Sequence, residues 1–169
     1  QSFARLGSKV TQVEMGSRLM SREDPEVSDI VQTSLANDGV NILTGHEAVR
    51  VDIVDGVKQL VVKRQGEGNE TAIAFDEILV AVGRSPRVKG YGLEELGIDL
   101  TPRKTIETNG YLQTLYPNIF AVGDVAGPFQ FTHTAAHQAW YAAVNALFGD
   151  FKRFKADYSV IPWTTFTDP

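Results

Sequence analysis

Cysteine is absent from the 169 residues, which excludes disulfides, thiolate metal sites and dithiol redox chemistry within this chain. No apolar run approaches the roughly 20 residues of a membrane span, and no stretch reads as a signal peptide. A cytoplasmic address is the expectation. Positive charge is not in excess: 16 Lys and Arg stand against 21 Asp and Glu, for a net charge of -5. The basic residues are scattered, so neither nucleic acid nor an anionic membrane is an expected partner. Internal repeats and low-complexity tracts are missing as well.

What is present is the composition of a soluble globular protein, 43 % hydrophobic and 22 % charged. The length allows one sizeable core, or two half-cores that need partners. Both ends fall inside elements. Gln1 to Gly7 reads as the last turns of a helix closed by a glycine, and Trp163 to Pro169 stops just after a β-type run. The sequence therefore reads as an internal piece of a longer chain.

Along the chain, Val10 and Val13 alternate with polar neighbours, predicting a strand over 9–14. Asp24-Pro25 marks a helix start, with Asp24 as N-cap and Pro25 at the first helical position. Val27, Ile30, Val31 and Leu35 share a face of that helix, Asn37-Asp38-Gly39 ends it, and 40–43 is a second short strand. The rhythm then changes to an antiparallel meander. Val49, Val51 and Ile53 lead to the hairpin signal Asp55-Gly56, 57–64 returns, and 71–75 forms a third strand. The nearly all-apolar run 77–82 predicts a strand buried on both faces of a parallel sheet. After Gly83-Arg84-Ser85-Pro86 comes a turn-rich stretch, then a predicted buried strand at 119–122 running into Gly123-Asp124. A helix beginning near Thr132 or His133 follows. Its expected packing rows are Ala135, Ala139, Ala143 and Leu147, with Ala136, Trp140, Val144 and Phe148 beside them, and Gly149 closes it.

Three places carry chemistry. Glu14 ends the first strand, where an acidic residue of a dinucleotide-binding unit accepts hydrogen bonds from ribose hydroxyls and repels a 2′-phosphate. An exposed strand-end carboxylate has the same spacing, and the glycine loop expected about 20 residues upstream of such an acid has no room before it. Gly123-Asp124 follows the 119–122 run. The glycine permits close approach, and the carboxylate can accept from a ligand hydroxyl. The helix after it aims its positive end at an anionic or electron-rich atom. Gly-Asp is also a common turn dipeptide. His133 and His137, four apart, share a helix face as a metal pair would, but no third ligand stands out and no metal site is expected. No catalytic acid, base or nucleophile can be assigned from spacing.

In combination, these motifs resemble the class I pyridine nucleotide-disulfide oxidoreductases. The resemblance rests on the order Gln1–Gly7, the strand to Glu14, Glu23-Asp24-Pro25, the meander, Val80-Ala81-Val82-Gly83-Arg84-Ser85-Pro86, and Thr114 to Asp124. The likeness runs over the whole chain and is greatest to the mercuric reductase and dihydrolipoamide dehydrogenase-like group, with Phe131-Thr132-His133 and the ending Thr165-Phe166-Thr167-Asp168-Pro169. It implies an α/β fold: the C-terminal portion of a Rossmann-type NAD-binding domain with an antiparallel meander over 1–83, the C-terminal portion of an FAD-binding domain over 84–158, and the start of a dimerisation domain over 159–169. It implies FAD and NAD as cofactors, hydride passing from NADH through flavin to a disulfide or similar acceptor, and a homodimeric parent.

The cofactor residues it implies are Glu14 on the NAD ribose, Gly83 beside the nicotinamide half with Arg84 next to it as a further cofactor-binding residue, and Gly123 and Asp124 on the flavin ribityl chain. Phe131, Thr132 and His133 would face the pyrimidine end of the flavin ring. Met15 and Ser21 stand where NADPH-using relatives carry basic residues, and Arg18 and Arg22 are out of register with that pattern. The family's phosphate-binding loops, redox cysteine pair and dimerisation domain are not in these residues, so the piece alone is expected to be inactive and to hold FAD weakly. A flavin reductase without the cysteine pair, and a non-catalytic binding module, are the alternatives.

Overall fold

The structure is a computed structural model describing residues 1–168; Pro169, the last residue of the closing motif, lies outside them. It divides into two compact units, Gln1–Val80 with residues 164–168, and Ala81–Trp163.

In the first unit, α1 (Ser2–Arg5) ends as expected at Gly7. Its φ of 96° lets the Gly7 N–H reach Ala4 O and the Ser8 N–H reach Phe3 O, satisfying carbonyls that the helix end would otherwise orphan. β1 (Thr11–Glu14) pairs in parallel with β2 (Asn41–Thr44), Thr11 opposite Asn41 and Glu14 opposite Thr44. Parallel neighbours need a crossover, and α2 (Pro25–Asn37) supplies it. Asp24 occupies the N-cap position, but its side chain makes no capping bond. At the other end Gly39, at φ 85°, closes the helix with Gly39 N–H to Ala36 O and Val40 N–H to Leu35 O.

The buried face of α2 differs from the expected one. Ser28, Val31 and Leu35 are buried, whereas Val27 and Ile30 are exposed. The reason is a hydrogen bond: the Ser28 hydroxyl donates to Leu19 O at 2.6 Å, turning that side of the helix toward the loop after β1. Leu19, Val31, Leu35 and Val40 then form the core with Ala4, Val10, Met20 and Ile42 around them.

The meander forms as read: β3 (His46–Val54), β4 (Val57–Arg64) and β5 (Glu70–Ala74) are antiparallel in that order. Asp55 and Gly56 both adopt positive φ (52° and 81°), the twist that a two-residue hairpin requires. A register shift between Ala48 and Arg50 bulges β3 at Val49.

The predicted strand over 77–82 does not form. The segment joins no ladder, and Leu79 and Val82 are 80 % and 88 % exposed. A strand exists by virtue of its neighbours, and the parallel sheet among the described residues holds only β1 and β2.

In the second unit, Val88, Leu93, Ile98, Ile106 and Ala121 make the core. The predicted strand at 119–122 is reduced to one antiparallel bridge between Gln113 and Phe120, with Ala121 packed inside. A single 3-10 turn, Gly123–Val125, follows, and then α3 (Thr132–Phe148). Here too the buried face is not the apolar one. Thr134, Gln138, Ala142 and Asn145 are buried, while Trp140, Leu147 and Phe148 are exposed. Asn145 explains half of this: its Nδ2 donates to Tyr111 O and Phe154 O, and its Oδ1 accepts the Phe154 N–H. The helix turns its amides inward because two loops present backbone groups that need partners.

Candidate functional site

Glu14 stands at the carboxyl end of β1, half-buried, with Oε1 accepting the Gly16 N–H at 2.6 Å. A side chain at 16 would place its Cβ 3.0 Å from that oxygen, so glycine is what allows the carboxylate to fold back over the chain. Gly16 O in turn accepts the Gly45 N–H just past β2, tying the ends of the two parallel strands together. Arg18 is spent on its own loop, donating to Met20 O and Ser21 O. Glu14 belongs to the first unit, whereas Gly83, Arg84 and every later candidate belong to the second.

The second unit gathers most of the predicted residues. Gly123 is buried at φ 76°, with Ala135 of α3 so near that an added Cβ would lie 3.3 Å from its Cβ. Its carbonyl accepts the Ala126 and Gly127 N–H groups, making a tight turn that carries Asp124 at its tip. Arg84 Nη1 lies 3.2 Å from Asp124 Oδ2 and 3.4 Å from Gln130 O. The two side chains are 62 % and 37 % exposed, so the pair is open to an incoming ligand. Gly83 precedes it on exposed backbone at φ 121°.

Immediately after Gln130, Phe131 is the N-cap residue of α3, with extended φ and ψ of -122° and 144°. Its ring stacks on His133 (centroids 5.2 Å apart, planes within 10°), on Phe129 and on Trp163. Thr132 and His133 are exposed in the first turn of a 17-residue helix, where backbone N–H groups point outward and the dipole is positive. A carboxylate, a guanidinium, a helix N-terminus and an aromatic stack thus lie along one short path from Arg84 through Asp124 and Gln130 to His133. Such a set can accept from hydroxyls and face an electron-rich ring edge.

The histidine pair separates: His133 stacks on Phe131, while His137 Nε2 lies 2.7 Å from Asp157 O and its ring meets Tyr141 edge-on. Among the described residues no three His, Cys, Asp or Glu side chains converge as metal ligands would, and no helix is long and apolar enough to cross a membrane. Ser159 hydrogen bonds hold the Asp157 carboxyl below its ordinary value, and burial pushes the Tyr158 phenol above its own. The residue that sequence reasoning missed is Gln138, fully buried and bonded to both ends of the Asp124 turn. Its signal was available in the polar stripe Thr134, Gln138, Asn145 running through an apolar helix.

The family described as pyridine nucleotide-disulphide oxidoreductase matches residues 1–139, a span that includes Glu14, Arg84, Asp124 and the start of α3. The chain belongs to this family. Curated relatives include a dihydrolipoyl dehydrogenase of Bacillus subtilis, 37 % identical over 99 % of this chain and 35 % of that protein. A mercuric reductase of Staphylococcus aureus is 37 % identical over 100 % of this chain and 30 % of its own length. Among solved structures, the Cu(II) complex of the HOCl-induced flavoprotein disulfide reductase RclA from Escherichia coli superimposes with a TM-score of 0.74. It is 32 % identical, over 89 % of this chain and 33 % of that one. The chain therefore spans about a third of the length of these relatives.

Proposed function

We propose that this chain is part of an FAD- and NAD-dependent oxidoreductase acting on a disulfide or similar acceptor. In this reading residues 1–83 are the later portion of the NAD-binding domain, 84–158 that of the FAD-binding domain, and 159–169 the opening of the dimerisation domain. The observation that carries it is the path from Arg84 and Asp124 to the N-terminus of α3. A flavin fits that donor set. Asp124, open and held at a turn, accepts from ribityl hydroxyls, and Arg84 orients its carboxylate. The N–H groups at Thr132 and His133 face the pyrimidine edge of the ring, where the helix dipole favours the electron-rich reduced form. Bound FAD supplies the two-electron chemistry that links NADH to the acceptor; the residues here bind and orient it. In the full-length flavoprotein, adding NADH should bleach the flavin absorbance, and an unbleached spectrum would refute the reading.

Glu14 supports NAD rather than NADP. Its carboxylate sits at the end of a parallel strand, already turned back by the Gly16 N–H, where it can take a ribose hydroxyl and repel a 2′-phosphate. A hydrogen bond to a charged group contributes about 1.5–3 kcal/mol, so Glu14→Ala should lower kcat/KM for NADH by about tenfold or more while sparing NADPH. An unchanged ratio between the two nucleotides would remove the assignment.

A further inference from the structure

Gln138 has no exposed surface, in the middle of a helix whose apolar residues largely face outward. An amide taken out of water without partners is costly, so its position needs a cause. Its Oε1 accepts the Gly123 N–H at 2.5 Å, and its Nε2 donates to Gly127 O at 2.6 Å and to the Tyr158 hydroxyl at 2.8 Å. Gly123 and Gly127 are the two ends of the turn that carries Asp124. One side chain thus grips the backbone before and after the carboxylate. Asn145, the other inward amide, holds Tyr111 and Phe154 and does not touch this turn.

We propose that Gln138 is a positioning residue that sets the Asp124 carboxylate for the flavin ribityl chain, an inference that rests on the reading of Asp124 above. Both oxygen and nitrogen are needed, because one end of the turn offers an N–H and the other a carbonyl. An ionised carboxylate only accepts and an apolar side chain does neither, so neither satisfies both ends at once.

The test is a double-mutant cycle on FAD affinity in the full-length flavoprotein, with the visible circular dichroism of the bound flavin as a second readout. Gln138→Met keeps length and volume and removes all three bonds. It should weaken FAD about tenfold when Asp124 is present. In the Asp124→Ala background it should change affinity by less than about twofold, since the residue it positions is gone. The flavin dichroism of Gln138→Met should move toward that of Asp124→Ala. Tyr158→Phe, which removes only the acceptor outside the turn, should leave FAD affinity within about twofold. Equal losses from Gln138→Met in both backgrounds, or an unaltered dichroism, would overturn the proposal, because a general packing role predicts both. Asp124→Ala without loss of FAD affinity would instead sink the ribityl reading and take this one with it. If Gln138→Met does not fold, Gln138→Asn, which keeps the amide but shortens its reach, carries the same cycle with the same deciding comparison.

Discussion

Replacing Gly123 with alanine should cost more stability than replacing Gly127, the glycine at the other end of the same turn. Two independent effects add. First, Gly123 sits at φ 76°, where an L-residue costs about 1–2 kcal/mol relative to right-handed backbone. Second, the new Cβ would lie 3.3 Å from the Ala135 Cβ, a contact that neither side relieves by rotating a side chain. Relief must come from moving the turn or α3, and overpacking of this kind costs about 1–3 kcal/mol. Against these stands about 0.4–1 kcal/mol gained by restricting the unfolded chain. The net loss is about 3 kcal/mol at the midpoints of these ranges.

Gly127→Ala is the control, because it separates strain from crowding. Its φ is 67°, but an added Cβ would meet only Thr105, with Cγ2 nearest at 3.5 Å, an ordinary contact. It should lose about 1 kcal/mol, the backbone cost less the unfolded-state gain. Both tryptophans, Trp140 and Trp163, lie in the second unit, so urea unfolding followed by tryptophan fluorescence reports the part that changes. A Gly123→Ala midpoint no lower than that of Gly127→Ala would refute the packing argument. A parallel fall in FAD affinity is expected for Gly123→Ala, since displacing the turn pulls the Gly123 N–H from Gln138.

What could be read from the sequence divides by the range of the interaction that decides it. The closing of α1 at Gly7, the start of α2 at Asp24-Pro25, its end at Gly39 and the Asp55-Gly56 hairpin are all settled by residues within a turn of one another. All of these appear where the sequence puts them. The runs 77–82 and 119–122 are apolar enough for strands, but a ladder needs a neighbour, and composition does not say whether one is within reach. Helix faces failed for a different reason. The stripe rule treats apolar burial as the only driver, whereas Ser28, Gln138 and Asn145 face inward because loop backbone groups need hydrogen bonds. The site follows the same division. Asp124 and the helix start at Thr132 are sequence neighbours and were legible together, while the Arg84–Asp124 pair spans the turn-rich stretch between them and no local pattern announced it.

Two further expectations follow from the same geometry. Burial raises the Tyr158 phenol, so its folded value lies above its unfolded one; the stability this contributes is complete below the ordinary tyrosine value and is lost as pH rises through the folded value. Tyr158→Phe should flatten that alkaline decline in urea midpoint, and identical slopes for the two proteins would contradict it. Asp24→Ala tests how much of a helix start is side-chain capping. Asp24 has the extended backbone of an N-cap (φ -61°, ψ 146°), but its carboxylate makes no capping bond, and Pro25 already presets the first helical φ. The usual loss of about 1 kcal/mol for an aspartate cap derives mainly from the missing bond. What remains here is attraction of an exposed carboxylate to the helix N-terminus, at the low end of about 0.3–1 kcal/mol. That part is screened by salt. Asp24→Ala should therefore lose less than about 0.5 kcal/mol at low ionic strength and close to nothing in molar salt. A loss near 1 kcal/mol that persists in salt would mean that Asp24 caps α2 in solution after all, and that the motif carries its usual energy, about that size.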